Sequence, residues 1–169
     1  MNIAVSNSGP LIHLARVNAT AILEALFDRV LIPPAVYHEV VELGIENDHP
    51  DALLVKALVD GGFIVVEREF KRTLQAVGFK ALSLHDGEVE AIELAMHVHD
   101  TVVLLDEEEG RRIARELGLA VKGTLGLLLD YFKSGAIGPA AATGILDRLN
   151  EEMYLSGDLY RFIRDRLTG

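Results

Sequence analysis

Short apolar runs alternate with longer amphipathic stretches along most of this chain. Runs at about residues 2–6, 29–32, 101–105 and 119–121 predict four central strands. Phe63-Ile64-Val65-Val66 predicts a weaker fifth, either an edge strand or a lone extension. Between these runs apolar residues recur at helical spacing. Ser8-Gly9-Pro10 opens a helix carrying Leu11, Ile12, Leu14 and Ala15, with Asn7 or Ser8 as its N-cap. A second helix is expected from Ala19 to Phe27, and a third, starting after Pro33-Pro34, from Ala35 to Leu43 with its stop at Gly44. A polar loop over 45–50 then leads to a helix from Ala52 to Val59, ended by Gly61-Gly62. Residues 84–99 predict a long helix capped by Asp86, and Glu107 to Leu117 predict another, closed by Gly118. Gly123-Thr124-Leu125-Gly126 leaves a strand and enters an apolar helix to Phe132, and amphipathic helices at roughly 138–150 and 157–167 finish the chain. Strands alternating with helices predict an α/β fold with a parallel sheet covered on both faces.

At 169 residues the chain is expected to be a single domain over 1–169, large enough to bury about two-thirds of its unfolded surface. The C-terminal helices, about 138–168, carry Leu146, Leu149, Met153, Tyr154, Leu155, Leu159, Tyr160, Phe162 and Ile163. That surface predicts packing either on the domain itself or on a partner subunit. The chain has no cysteine, which excludes disulfides, thiolate metal sites and a thiol nucleophile, so any metal must be held by oxygen or imidazole. No segment reaches the ~18 apolar residues of a membrane span, and the start of the chain has no leader-like pattern, so no membrane partner and a cytoplasmic location are expected. The net charge of −10 disfavours a simple electrostatic grip on nucleic acid. It leaves open a divalent ion that draws a phosphate into an acidic pocket.

Candidate chemistry follows from where single polar residues interrupt these patterns. Asn7 closes the first strand and Asp106 closes the run Thr101-Val102-Val103-Leu104-Leu105. In a parallel sheet both emerge at the carboxyl edge, where α/β folds bind ligands. Asp106 is alternatively the N-cap of the helix that begins at Glu107. Glu88 shares a helical stripe with Ala91, Ile92 and Ala95, which draws a carboxylate toward the interior, where it needs a cation, a hydrogen bond or a raised pKa. Glu90, Glu93 and His97 form the opposite stripe and read as a solvated face. Glu39 lies one turn into its helix, at the border of an apolar stripe, where a favourable interaction with the helix N-terminus is the competing account. His13 and His38 are placed near the proposed edge, where they could touch substrate, but histidines so placed are more often packing residues, and His97 and His99 read as surface. Glu107, Glu108 and Glu109 fit first-turn dipole partners. The Gly123–Gly126 segment fits an anion nest or simply a tight strand-to-helix turn. Nucleotide-binding glycine motifs and a GxSxG elbow are absent.

Four segments in order resemble the PIN-domain superfamily. Val5-Ser6-Asn7-Ser8-Gly9-Pro10-Leu11-Ile12 resembles its opening element, in which an aspartate ordinarily stands where Asn7 is. Val30 to Val40 is similar to the second, with its glutamate at Glu39; Gly87 to Ala95 to the third, with the acid at Glu88; and Val103-Leu104-Leu105-Asp106 to the fourth. The resemblance spans nearly the whole chain. It implies a three-layer α/β/α fold with a central parallel sheet of four to five strands. It also implies an endoribonuclease in which Asn7, Glu39, Glu88 and Asp106 hold Mg²⁺ or Mn²⁺, with the three acids catalytic toward single-stranded RNA. The partners it implies are an antitoxin-type protein and a second copy of the chain in a homodimer. Asn7 removes one formal charge, which implies weaker metal affinity and reduced cleavage. The alternative is a non-catalytic PIN-like protein that binds RNA or an antitoxin-like protein.

Overall fold

The five apolar runs pair side by side. In the computed structural model, which describes residues 2–76 and 84–169, β1 (Ile3–Ser6), β2 (Arg29–Ile32), β3 (Ile64–Val66), β4 (Thr101–Leu104) and β5 (Ala120–Lys122) form one parallel sheet ordered β3-β2-β1-β4-β5. The helices are α1 (Ser8–Arg16), α2 (Ala21–Leu26), α3 (Pro34–Tyr37), α4 (Leu43–Glu46), α5 (Pro50–Asp60), α6 (Thr73–Ala76), α7 (Asp86–Ala95), α8 (Glu108–Glu116), α9 (Thr124–Lys133), α10 (Pro139–Met153) and α11 (Gly157–Thr168). Helices cover both faces, as the alternation of strand and helix requires. The cause is visible in single strands, where successive side chains point to opposite faces. Ala4 and Leu104 enter the core on one side with Leu11, Ile32, Leu127 and Leu146. Val5, Val103 and Leu105 enter the other with Ile92, Leu94 and Ile113.

Strand order reverses at β1, which has β2 on one side and β4 on the other. The carboxyl ends of β1 and β4 therefore flank a topological switch point, the place where open α/β sheets leave a crevice. Asn7 and Asp106 follow those two ends, and the Asn7 N–H continues the ladder to the Leu104 carbonyl at 3.1 Å.

Three expectations are corrected. The run at 119–121 is an edge strand, β5, not a central one, and the run from Phe63 is the opposite edge. The helix expected to stop at Gly44 passes through it: α3 continues as a π-helical turn, His38–Glu42, and then as α4. Gly44 is instead the contact between helices, because a Cβ there would sit 2.6 Å from the Ala52 Cβ on α5. The helix expected over 84–99 is α7, ending at Ala95 with His85 rather than Asp86 at its N-cap, so His97 and His99 lie beyond it. The apolar C-terminal surface divides in two. Leu146, Leu149, Ile163 and Leu167 are buried in the core, while Tyr154, Leu159 and Phe162 are exposed. No helix of the described residues is long and apolar enough to cross a membrane.

Candidate active site

A cavity of about 340 Å³ opens at the switch point, and all four predicted residues, Asn7, Glu39, Glu88 and Asp106, line it together with Ser8, His13, His85, Glu107 and Glu109. Each arrives on a different element. Asn7 lies between β1 and α1, and Glu39 sits in the π-helical turn, a local widening of the helix often found where a side chain must be re-aimed. Glu88 is on the first turn of α7, and Asp106 follows β4.

Asp106 is the most heavily bonded of the four. Its Oδ1 accepts the Thr124 backbone N–H at 2.7 Å, and its Oδ2 accepts the Thr124 hydroxyl at 2.7 Å and His13 Nδ1–H at 2.7 Å. Burial pushes its pKa up, but the bonds from His13 and Thr124 outweigh that and hold the carboxyl below its ordinary range. The expected alternative role at the start of α8 is not what forms, since Glu107 occupies that N-cap. Asp106 instead serves the N-terminus of α9. The Gly123-Thr124 turn is thus both a strand-to-helix turn and an anion nest, and its anion is the protein's own carboxylate. Gly123 makes room for it, because a Cβ there would lie 3.0 Å from Asp106 Oδ1.

Glu88 shows the opposite state. It is 3% exposed; Oε2 accepts the His85 N–H at 3.1 Å, while Oε1 is buried with no hydrogen-bond partner. Desolvation pushes its pKa up, the His85 N–H offsetting only part of the effect. Glu39 is exposed, and its Oε2 accepts the Ser8 hydroxyl at 2.7 Å. Gly87 leaves a gap between donors: a Cβ there would sit 3.2 Å from Asn7 Oδ1 and 3.3 Å from Glu39 Oε2.

The stripe read as solvated is buried. Glu90 is 6% and Glu93 0% exposed, because α7 is covered on both sides, by the sheet and by the segment around α6. Glu90 is satisfied by the Ala35 N–H at 3.1 Å and by Arg72 at 3.1 Å, and Glu93 by the Leu74 N–H at 2.6 Å. A helical stripe with buried acids looks like a solvated face until the segment that covers it is in place. His38 lies outside the cavity lining, exposed and bonded to Glu42 at 2.6 Å. Ser8 and His85 escaped prediction as members of the site, and Thr124 was foreseen only as part of an anion nest or a tight turn. Their only signal was position, each beside a strand end or helix start that already carried a candidate.

The donors suit a hard divalent cation in kind. The Glu39 carboxylate and the Asn7 amide oxygen stand beside the space that Gly87 leaves, and one Glu88 carboxylate oxygen is buried and unmatched. Among the described residues no group of three His, Asp or Glu side chains is gathered closely enough to hold an ion as it stands. A family model described as PIN domain matches residues 3–168. No curated protein matches the chain, and no solved structure does.

Proposed function

The chain belongs to the PIN-domain family, whose membership supports a nuclease-type activity, and we propose that it is a metal-dependent endoribonuclease acting on single-stranded RNA. The observation that carries this reading is the buried, unpartnered Oε1 of Glu88 in a cavity lined, among the described residues, by five acids, Glu39, Glu88, Asp106, Glu107 and Glu109, and by no Lys or Arg. An isolated carboxylate oxygen out of water is costly, and a polyanion cannot approach such a cavity unless a cation accompanies it.

Glu39, Glu88 and the Asn7 side-chain oxygen would hold Mg²⁺ or Mn²⁺, with Asp106 adding charge and the one lone-pair site its three hydrogen bonds leave. When bound, the ion supplies activation of water and neutralisation of charge on the phosphoryl oxygens. The chain's own residues do the rest. Ser8 fixes Glu39. Asp106 orients His13 through Nδ1, which leaves Nε2 to hydrogen-bond substrate. His85 N–H sets the Glu88 rotamer.

Asn7 favours the second reading, an RNA- or partner-binding PIN protein without turnover, since an amide cannot supply the missing charge. The test is Mn²⁺-dependent cleavage of a labelled single-stranded RNA by the wild type, Glu88→Gln and Asn7→Asp. Cleavage by the wild type, lost in Glu88→Gln, supports the nuclease reading. Cleavage gained only in Asn7→Asp supports the binding protein. Inactivity of all three in the presence of Mn²⁺ overturns the nuclease reading and leaves the binding-protein reading, which RNA binding by the wild type then tests.

A further inference from the structure

Among the described residues no Lys or Arg lines the acid cavity, so the RNA backbone must be gripped beside it, and one arginine is left unengaged there. Arg111 is on α8, one residue after Gly110, whose added Cβ would touch Glu88 Oε1 at 2.9 Å. The start of α8 therefore lies directly against the acid site. On its other side, a Cβ at Gly123 would fall 3.6 Å from Arg111 Nη1 and 3.0 Å from Asp106 Oδ1. The guanidinium thus lies near Asp106 on the side of the β5–α9 turn.

Arg111 nevertheless makes no ion pair with Asp106, three of whose four lone-pair sites are taken by Thr124 and His13. Its Nε is buried without a hydrogen-bond partner. No other described residue bonds its side chain, whereas Arg16, Arg72, Arg112 and Arg161 each pair with a carboxylate. A guanidinium is always charged and carries five donors in a planar fork suited to phosphate oxygens. Keeping one partly buried and unpaired is unfavourable for folding alone, so the arrangement is explained by an anion that arrives with the substrate.

We infer that Arg111 binds a backbone phosphate of single-stranded RNA, the one flanking the phosphodiester that enters the acid cavity. This rests on the ribonuclease reading above and assigns the strand a direction across Asp106 toward the β5–α9 turn. Arg112, the next residue, is the natural control, because it is exposed and held by Glu109 and Glu116 at 2.8 and 2.6 Å.

The test is fluorescence anisotropy of a labelled single-stranded RNA with the intact chain, with Ca²⁺ in place of Mn²⁺ to slow cleavage, titrated between about 50 and 200 mM salt. Arg111→Gln is expected to weaken binding about ten-fold and to make the slope of log affinity against log salt shallower by about 0.7, the value of one phosphate contact on a single strand. Arg111→Lys should recover the slope but not the full affinity, since an ammonium restores charge without the fork. Arg112→Gln should match the wild type. Arg111→Gln should also melt no lower than the wild type without RNA, because an unpaired buried cation has been removed. Wild-type affinity and slope in Arg111→Gln would overturn the proposal while leaving the ribonuclease reading intact. A lower melting temperature with an unchanged slope would assign Arg111 to packing and overturn it as well. Absence of RNA binding by the wild type itself would overturn both.

Discussion

Asp106 and Glu88 line the same cavity, yet their surroundings move their pKa values in opposite directions. On the β4–α9 wall, Asp106 accepts three hydrogen bonds from Thr124 and His13 and is held ionised. On the α7 wall, Glu88 has one backbone donor, a buried oxygen with nothing to accept from, and a carboxyl pushed toward its neutral form. The difference lies in what each wall lacks. Asp106 is complete within the fold and serves it as a structural anchor. Glu88 is not completed by the fold, and on the proposed reading its free oxygen is left for a cation, a state common among ligands and catalytic acids.

The largest expected effect on this contrast is on activity. Glu88→Gln should lower Mn²⁺-dependent RNA cleavage by more than about 100-fold, since residues that merely support a metal ligand already account for about 10–100-fold. The same change should raise stability by about 1 kcal/mol in urea unfolding, because it removes charge from an unsatisfied buried oxygen. A loss of stability would mean that Glu88 is as structurally committed as Asp106. Asp106→Ala should do the reverse and cost about 3 kcal/mol, at about 1 kcal/mol or more for each bond to a charged acceptor. Thr124→Val should cost about 1 kcal/mol, and in a double-mutant cycle the two changes should be clearly non-additive, because they remove the same bonds.

Stability against pH separates the two walls again. Asp106 has a lowered folded pKa, so its contribution is present above its ordinary value of 3.8 and is lost as pH falls through the lower folded value. Glu88 has a raised folded pKa, so the folded protein holds that proton more tightly. Its effect is a loss of stability as pH rises from the ordinary 4.5 through the folded value. Melting curves across this range should lose the acid-side fall in Asp106→Asn and the fall on the higher-pH side in Glu88→Gln, and saturating Mn²⁺ should abolish the latter in the wild type.

Gly87→Ala carries the smallest stability effect, within about 1 kcal/mol, since better helix propensity offsets the new contacts. Its Cβ enters the gap between Asn7 Oδ1 and Glu39 Oε2, so calorimetry should find Mn²⁺ affinity reduced about ten-fold, in the range seen when the surroundings of a metal ligand are disturbed. Unchanged affinity would move the ion away from Asn7 and Glu39.

The α/β class, the positions of all five strands and the emergence of Asn7 and Asp106 at one sheet edge were legible in the residues themselves, while the place of Glu39 and Glu88 beside them was implied by the resemblance of their segments to the PIN-domain family. Strand periodicity and the polar residue that ends an apolar run are local properties, and a parallel sheet turns local strand ends into one shared edge. What each acid does there was not legible. Asp106 looked like a cap for the helix that follows it, and it caps α9 instead, across a separation of 18 residues. Glu90 and Glu93 looked solvated and are buried, because the partners that satisfy them come from the α3 and α6 segments. Gly44 looked like a helix stop and is a helix contact, set by Ala52 on another element. The chain alone determined the strands and the edge at which Asn7 and Asp106 emerge, because periodicity is written in neighbouring positions. Only the tertiary structure decided which carboxylate is satisfied and which is left waiting, because hydrogen-bond partners and desolvation come from residues distant in sequence.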